Sequence, residues 1–203
     1  MIVKSVVILA GGEGKRLRGK EKALLRFRGK AIIESMVSRL SGMCEEIVIS
    51  IRDTAQEKTF KEVLGKYDLI YAVDAVKGIG PLAGIYAGLN HSNQRYSIVL
   101  GGDMPFINLK VVEYLFEETT GEDLVIPSWG DGRIEPLHAV YQKESMILAA
   151  ERAIEEGHNT IIKPISYLEK VKEVPIESLR MLDPSLETFI NINTKDDLVF
   201  LER

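Results

Sequence analysis

Three glycines in four positions, Gly11, Gly12 and Gly14, follow a short apolar run ending in Leu9 and Ala10 and precede Lys15 and Arg16. Glycine frees a backbone to turn sharply and lets its N–H groups approach a polyphosphate closely. Arg16, Lys20 and Lys22 add cations that can neutralise phosphate charge. A tight surface turn followed by a solvated basic face is the plainer alternative, but turns rarely need so many glycines beside so many cations. Two familiar phosphate loops fit poorly. The dinucleotide pattern GxGxxG fails because Gly12-Glu13-Gly14 runs on into Lys15, Arg16 and Leu17. Residues 14–20 do fit GxxxxGK, yet Glu21 follows where that loop needs Ser or Thr to hold magnesium.

A second set of polar residues stands at the ends of apolar runs. Asp103 closely follows the run 97–100 and precedes Met104 and Pro105, a position from which a carboxylate can hold magnesium against triphosphate oxygens. On position alone it serves equally well as a turn or N-cap aspartate. Asp74 closes the run 69–73 in the same way. Gly80 and Pro81 open a segment with helical spacing, with proline suited to a first turn and small residues permitting close approach of a ligand. Asn191 and Asn193 alternate with Ile190 and Ile192, so on a strand both amides share one face, either toward a site or toward solvent. His138 reads as a hydrogen-bonded core or edge histidine, and Met36, Met43 and Trp129 as packing residues.

The elements that must position these groups show in the hydrophobic pattern. Apolar runs at 3–9, 47–51, 69–73, 97–100 and 124–126 lack alternation and suit strands covered on both faces. Between them, Ile32, Ile33, Met36, Val37 and Leu40, and again Val111, Val112, Leu115 and Phe116, fall on one side of a helix. Such alternation predicts right-handed crossovers, a largely parallel sheet between helix layers, and ligands beyond the carboxyl ends of its strands. Prolines at 127, 136, 164, 175 and 184 break the second half into shorter elements, read as a completing lobe of one domain spanning 1–203. The chain is expected to close with a strand over 188–192 and a helix from about Thr194, capped in the manner of Thr194-Lys195-Asp196-Asp197.

Composition narrows the function classes. With 26 basic and 30 acidic residues, a formal charge of -4 offers no global attraction to nucleic acid or an anionic membrane surface. No stretch approaches the roughly 20 apolar residues of a membrane span, and the short N-terminal run reads as a strand rather than a signal peptide. A lone cysteine, Cys44, and scattered His91, His138 and His158 give neither a disulfide framework nor metal-ligand spacing, in keeping with a reducing cytoplasm. No Ser/His/Asp or Cys/His constellation is apparent, consistent with a transfer catalysed by alignment and charge neutralisation.

Taken together, LAGGEGKRLRGKEKALL resembles the signature of sugar-nucleotide and cofactor nucleotidyltransferases, and is most similar to that of the molybdenum cofactor guanylyltransferase family. GPLAG at 80–84, GDMPF at 102–106, EPL at 135–137 and FININT at 189–194 look like that family's motifs in its order. Arg18 stands where the family usually has glycine, and Glu21 where it commonly has aspartate. The resemblance implies a three-layer α/β/α, Rossmann-like nucleotidyltransferase fold of the GT-A kind. It implies transfer of GMP from GTP to the phosphate of molybdopterin, with Mg²⁺ and release of pyrophosphate. It places Leu9, Ala10, Gly11, Gly12, Gly14, Arg16 and Lys22 around the triphosphate, with Arg16, Lys22 and Asp103 catalytic and Asp103 on the metal. Asp74, Gly80 and Pro81 would contact the nucleotide, and Asn191 and Asn193 the acceptor or metal side. Cofactor-insertion and acceptor proteins would be downstream partners. Sister enzymes using CTP with molybdopterin or methylerythritol phosphate, or GTP with phospholactate, stay open. A non-catalytic nucleotide sensor predicts loss of Asp103 or Lys22, and both are present.

Overall fold

The computed structural model describes residues 4–12, 21–74, 76, 78–192 and 197. Gly14, Arg16 and Asn193 lie outside these, as does the expected helix from Thr194 apart from Asp197.

The apolar runs become the strands of one seven-stranded sheet. β1 (Ser5–Leu9) lies at its centre, paired in parallel with β4 (Glu46–Ile51) on one side and β6 (Tyr96–Gly101) on the other. β5 (Ile70–Val73) extends the β4 side in parallel. Beyond β6 stand β8 (His138–Gln142), β7 (Leu124–Ser128) and β9 (Val171–Pro175), giving the order β5-β4-β1-β6-β8-β7-β9. β8 is antiparallel to both of its neighbours, while β7 and β9 are parallel. A separate hairpin joins β2 (Arg26–Phe27) and β3 (Lys30–Ala31).

The period of two along β1 sorts the helices into layers. Val6 and Ile8 face a cluster shared with α1 (Ile32–Leu40), α2 (Thr54–Leu64) and α4 (Leu109–Glu117). Val7, between them, faces the opposite cluster with α3 (Pro81–His91) and α5 (Lys143–Glu155). α1 buries Ile32, Ile33, Met36, Val37 and Leu40, the stripe expected from their spacing. Each such side chain contributes about 1.5–3 kcal/mol of burial before chain entropy is subtracted. Two single-turn helices, α6 (Ile162–Ile165) and α7 (Ile176–Leu179), complete the proline-broken second half.

α3 lies unusually close to the sheet. A β-carbon on Gly88 would sit 2.3 Å from Cγ1 of Val7, and one on Gly84 would sit 2.9 Å from Oγ of Ser50. Gly84, the last residue of GPLAG, and Gly88 one turn later therefore serve helix-on-sheet packing.

The strand expected over 188–192 does not form. Glu187–Phe189 make one 3-10 turn, and residues 190–192 run on without a ladder partner. Side chains take over the role of a ladder: the buried carboxylate of Asp183 accepts from the Thr188 N–H at 2.9 Å, and Thr188 Oγ1 accepts from the Asn108 N–H at 3.0 Å. Leu186, at φ 54°, supplies the reversal before them. Asn191 therefore stands on irregular backbone, outside any strand.

Candidate active site

The carboxyl ends of β1, β4, β5 and β6 converge on a cavity of about 710 Å³. Its floor is the chain leaving β1. Leu9, Ala10, Gly11 and Gly12 line it, fixed on both sides by backbone bonds: Ala10 N–H donates to Ser50 O at 2.8 Å, and Gly102 N–H donates to Leu9 O at 3.0 Å. Gly11 is hemmed in, since a β-carbon there would stand 3.1 Å from the Arg52 amide nitrogen and 3.3 Å from Oδ2 of Asp74. Gly102 is tighter still, with Leu9 O 2.7 Å from a β-carbon position. These glycines permit three strand ends to meet around one space.

One pole of the cavity is cationic and acidic together. Lys22 begins the 3-10 turn Lys22–Leu24, and its Nζ stands 3.5 Å from Oδ2 of Asp103, just beyond β6. Burial pushes the Asp103 carboxyl above the usual carboxylate range, and Lys22 draws it part of the way back. A carboxylate so desolvated is stabilised in its charged form by cations. Magnesium is commonly held by one or two carboxylates together with substrate phosphate oxygens, so a single aspartate beside a lysine is a donor set that fits it only with a polyphosphate present. Among the described residues no group of three or more His, Cys, Asp or Glu forms an all-protein metal site.

The other pole stands at the ends of β4 and β5. Burial raises the Asp74 carboxyl to about 6, against which Ser50 Oγ donates to Oδ1 at 3.2 Å and Arg52 adds positive charge. Gly80, at φ 55° and ψ -138°, turns the chain into Pro81 at the start of α3, and both border the cavity. The φ is one that glycine adopts without strain.

Leu9, Ala10, Gly11, Gly12, Lys22, Asp74, Gly80, Pro81 and Asp103 all line this one cavity. Asn191 is not among the lining residues; it is exposed, although Ile192 N–H donates to Asp103 O at 2.9 Å and ties its segment to the site. His138 is fully buried at the start of β8, with Nε2 3.5 Å from Thr188 Oγ1 and Nδ1 unpartnered. Burial lowers its pKa to about 3. Met36 is buried and Trp129 donates its ring N–H to Glu135 at 2.6 Å, both as packing residues. Ser50, Arg52 and Asp53 also line the cavity, unanticipated from the sequence. Ser50 lies inside the apolar run 47–51 and the other two just past it, with no motif to mark them.

A chain with this cavity between glycine loop, lysine and desolvated aspartate matches a known domain. The model of the MobA-like NTP transferase domain fits residues 6–171. The chain belongs to this family. A probable molybdenum cofactor guanylyltransferase of Methanosarcina mazei is 40% identical over 198 residues, covering 96% of this chain and 88% of that one. The crystal structure of molybdopterin-guanine dinucleotide biosynthesis protein A from Archaeoglobus fulgidus superposes with a TM-score of 0.81 at 36% identity, covering 98% of this chain and 96% of that one. A 4-diphosphocytidyl-2C-methyl-D-erythritol synthase from Anaerococcus prevotii, at 17% identity and a TM-score of 0.76 over 100% of this chain and 97% of that one, shares the fold. As a MobA-like NTP transferase the chain is a nucleotidyltransferase of the molybdenum cofactor biosynthesis type. Among the described residues no helix is long and apolar enough to cross a membrane.

Proposed function

We propose that this nucleotidyltransferase moves GMP from GTP to the terminal phosphate of molybdopterin, giving the guanine dinucleotide form of the cofactor and pyrophosphate. The observation that carries this reading is the Lys22–Asp103 pair at one end of the cavity in a chain 40% identical, over nearly its whole length, to a probable molybdenum cofactor guanylyltransferase. In this reading the acceptor phosphate oxygen attacks the α-phosphorus in line as the bond to the pyrophosphate oxygen breaks. The backbone N–H groups of Gly11, Gly12 and Gly14 hold the triphosphate, with Arg16 and Lys22 neutralising oxygens that gain charge. Asp103 is the residue that would hold Mg²⁺, which when bound neutralises phosphate oxygens and fixes their orientation. No protein nucleophile is needed, because positioning and charge supply the catalysis.

Asp74, Ser50, Gly80 and Pro81 seat the nucleoside, with the Asp74 carboxylate an acceptor for its N–H or O–H donors. Asn191 and Asn193 belong to the acceptor side. The reaction suits a single domain working in the cytoplasm and passing its product to cofactor-insertion or acceptor proteins. Pyrophosphate release measured from GTP, CTP, ATP and UTP, with and without molybdopterin, tests the reading. Release from GTP only with molybdopterin supports it; preference for CTP, or for methylerythritol phosphate or phospholactate as acceptor, would move the chain to a sister activity.

A further inference from the structure

Two elements grip the proposed triphosphate: the glycine loop leaving β1 and the turn carrying Lys22. They are separate in sequence and joined in space by one polar network. Glu21, immediately before that turn, accepts from Nη2 of Arg52 at 3.2 Å. The Arg52 guanidinium also donates from Nε to Asp53 at 2.9 Å, and Asp53 caps α2 by accepting from Gln56 N–H at 2.8 Å. Gln56, only 3% exposed, closes the chain of contacts: its Oε1 accepts from the Arg52 N–H at 2.7 Å, and its Nε2 donates to Ala10 O at 3.0 Å.

A buried amide is costly unless its groups are paired, and here each pairs with backbone next to the cavity. Glutamate at 21 lies one residue before the phosphate lysine, so its side chain sets where that lysine's backbone stands relative to β4. We propose that Arg52 and Gln56 are positioning residues: with Glu21 they fix the distance between the Lys22 turn and the glycine loop, and so the placement of the ammonium on the triphosphate. Arg52 acts through Lys22 rather than on the nucleotide. A misplacement of about 1 Å in such a group can cost on the order of 100-fold in rate.

This rests on the cavity being the triphosphate site, and the test separates the two. Wild-type protein, Glu21→Gln, Arg52→Met, the double variant, and each change combined with Lys22→Met are compared by pyrophosphate release, with thermal midpoints recorded alongside. Glu21→Gln keeps volume and leaves the core untouched, so it remains informative if Arg52→Met fails to fold. The expected result is a loss of about tenfold in kcat/KM for either single change, no further loss in the double variant, and no added loss beside Lys22→Met. Losses that multiply in the double variant, or, at pH 8 where Asp74 is ionised, a raised nucleotide KM with Arg52→Met that Glu21→Gln does not share, would overturn the network and make Arg52 a direct contact. A wild-type protein that neither binds nor turns over any nucleoside triphosphate would overturn both.

Discussion

Nζ of Lys22 and Oδ2 of Asp103 stand 3.5 Å apart although 81 positions separate the residues, because β1 and β6 pair in parallel and end together. The lysine comes from the turn beyond the glycine loop, the aspartate from the bend after β6. Neither is fully exposed, at 30% and 22% of their side-chain surface. A like-sized uncharged substitute at either position keeps the fold and removes charge where the transferred phosphate would stand. Lys22→Met and Asp103→Asn are each expected to lower turnover by about 100-fold or more at saturating nucleotide. Steady-state pyrophosphate release checks this, with circular dichroism confirming the fold.

Asp74 should give the cavity a pH dependence. Its carboxyl, raised to about 6 by burial, holds a proton between about 3.8 and 6 that the unfolded chain has already lost. The stability this contributes is present below about 3.8 and lost as pH rises through 6. Nucleotide binding runs the other way: ionised Asp74 is the better acceptor for nucleoside donors, so affinity should increase between pH 5 and 7. Calorimetric titration across that range should show the trend in wild-type protein and a shallower one in Asp74→Asn.

His138 titrates with the opposite sign. Its pKa is depressed from the ordinary 6.5 to about 3 by complete burial, so between those values the unfolded chain binds one more proton. The contribution to stability is present above 6.5 and lost as pH falls, at up to about 1.4 kcal/mol per pH unit. Denaturant midpoints from pH 4 to 6.5 should fall less steeply toward acid in His138→Gln than in wild-type protein.

Gly88 is a packing glycine rather than a ligand contact. With Val7 Cγ1 2.3 Å from its β-carbon position, Gly88→Ala should destabilise by about 1–3 kcal/mol through overpacking. Val7→Ala in the same chain should recover part of that loss. Chemical denaturation of the two single variants and the double variant decides it.

The central strands, α1 and α4 could be read directly, because unalternating apolar runs and a 3.6-residue stripe have few competing interpretations. So could the positions of Asp74 and Asp103, since a residue ending a buried strand has little choice of where to stand. Arg52 and Gln56 could not: one sits past a strand end that carries no motif, and the other looks like a surface residue of a polar helix until Ala10 O is seen beside it. The strand over 188–192 was misread because its alternation is real but its hydrogen bonds go to Asp183, Asn108 and Asp103 rather than to a neighbouring strand. The antiparallel insertion of β8 likewise depends on pairings that no local pattern announces.

The most direct test of guanylyl transfer is to incubate the purified protein with α-labelled GTP, magnesium and molybdopterin and follow the label. Label should appear in a pterin dinucleotide, one pyrophosphate should be released for each, and Asp103→Asn should abolish both. Label left entirely in GTP, or transferred equally well by Asp103→Asn, would contradict the proposed reaction.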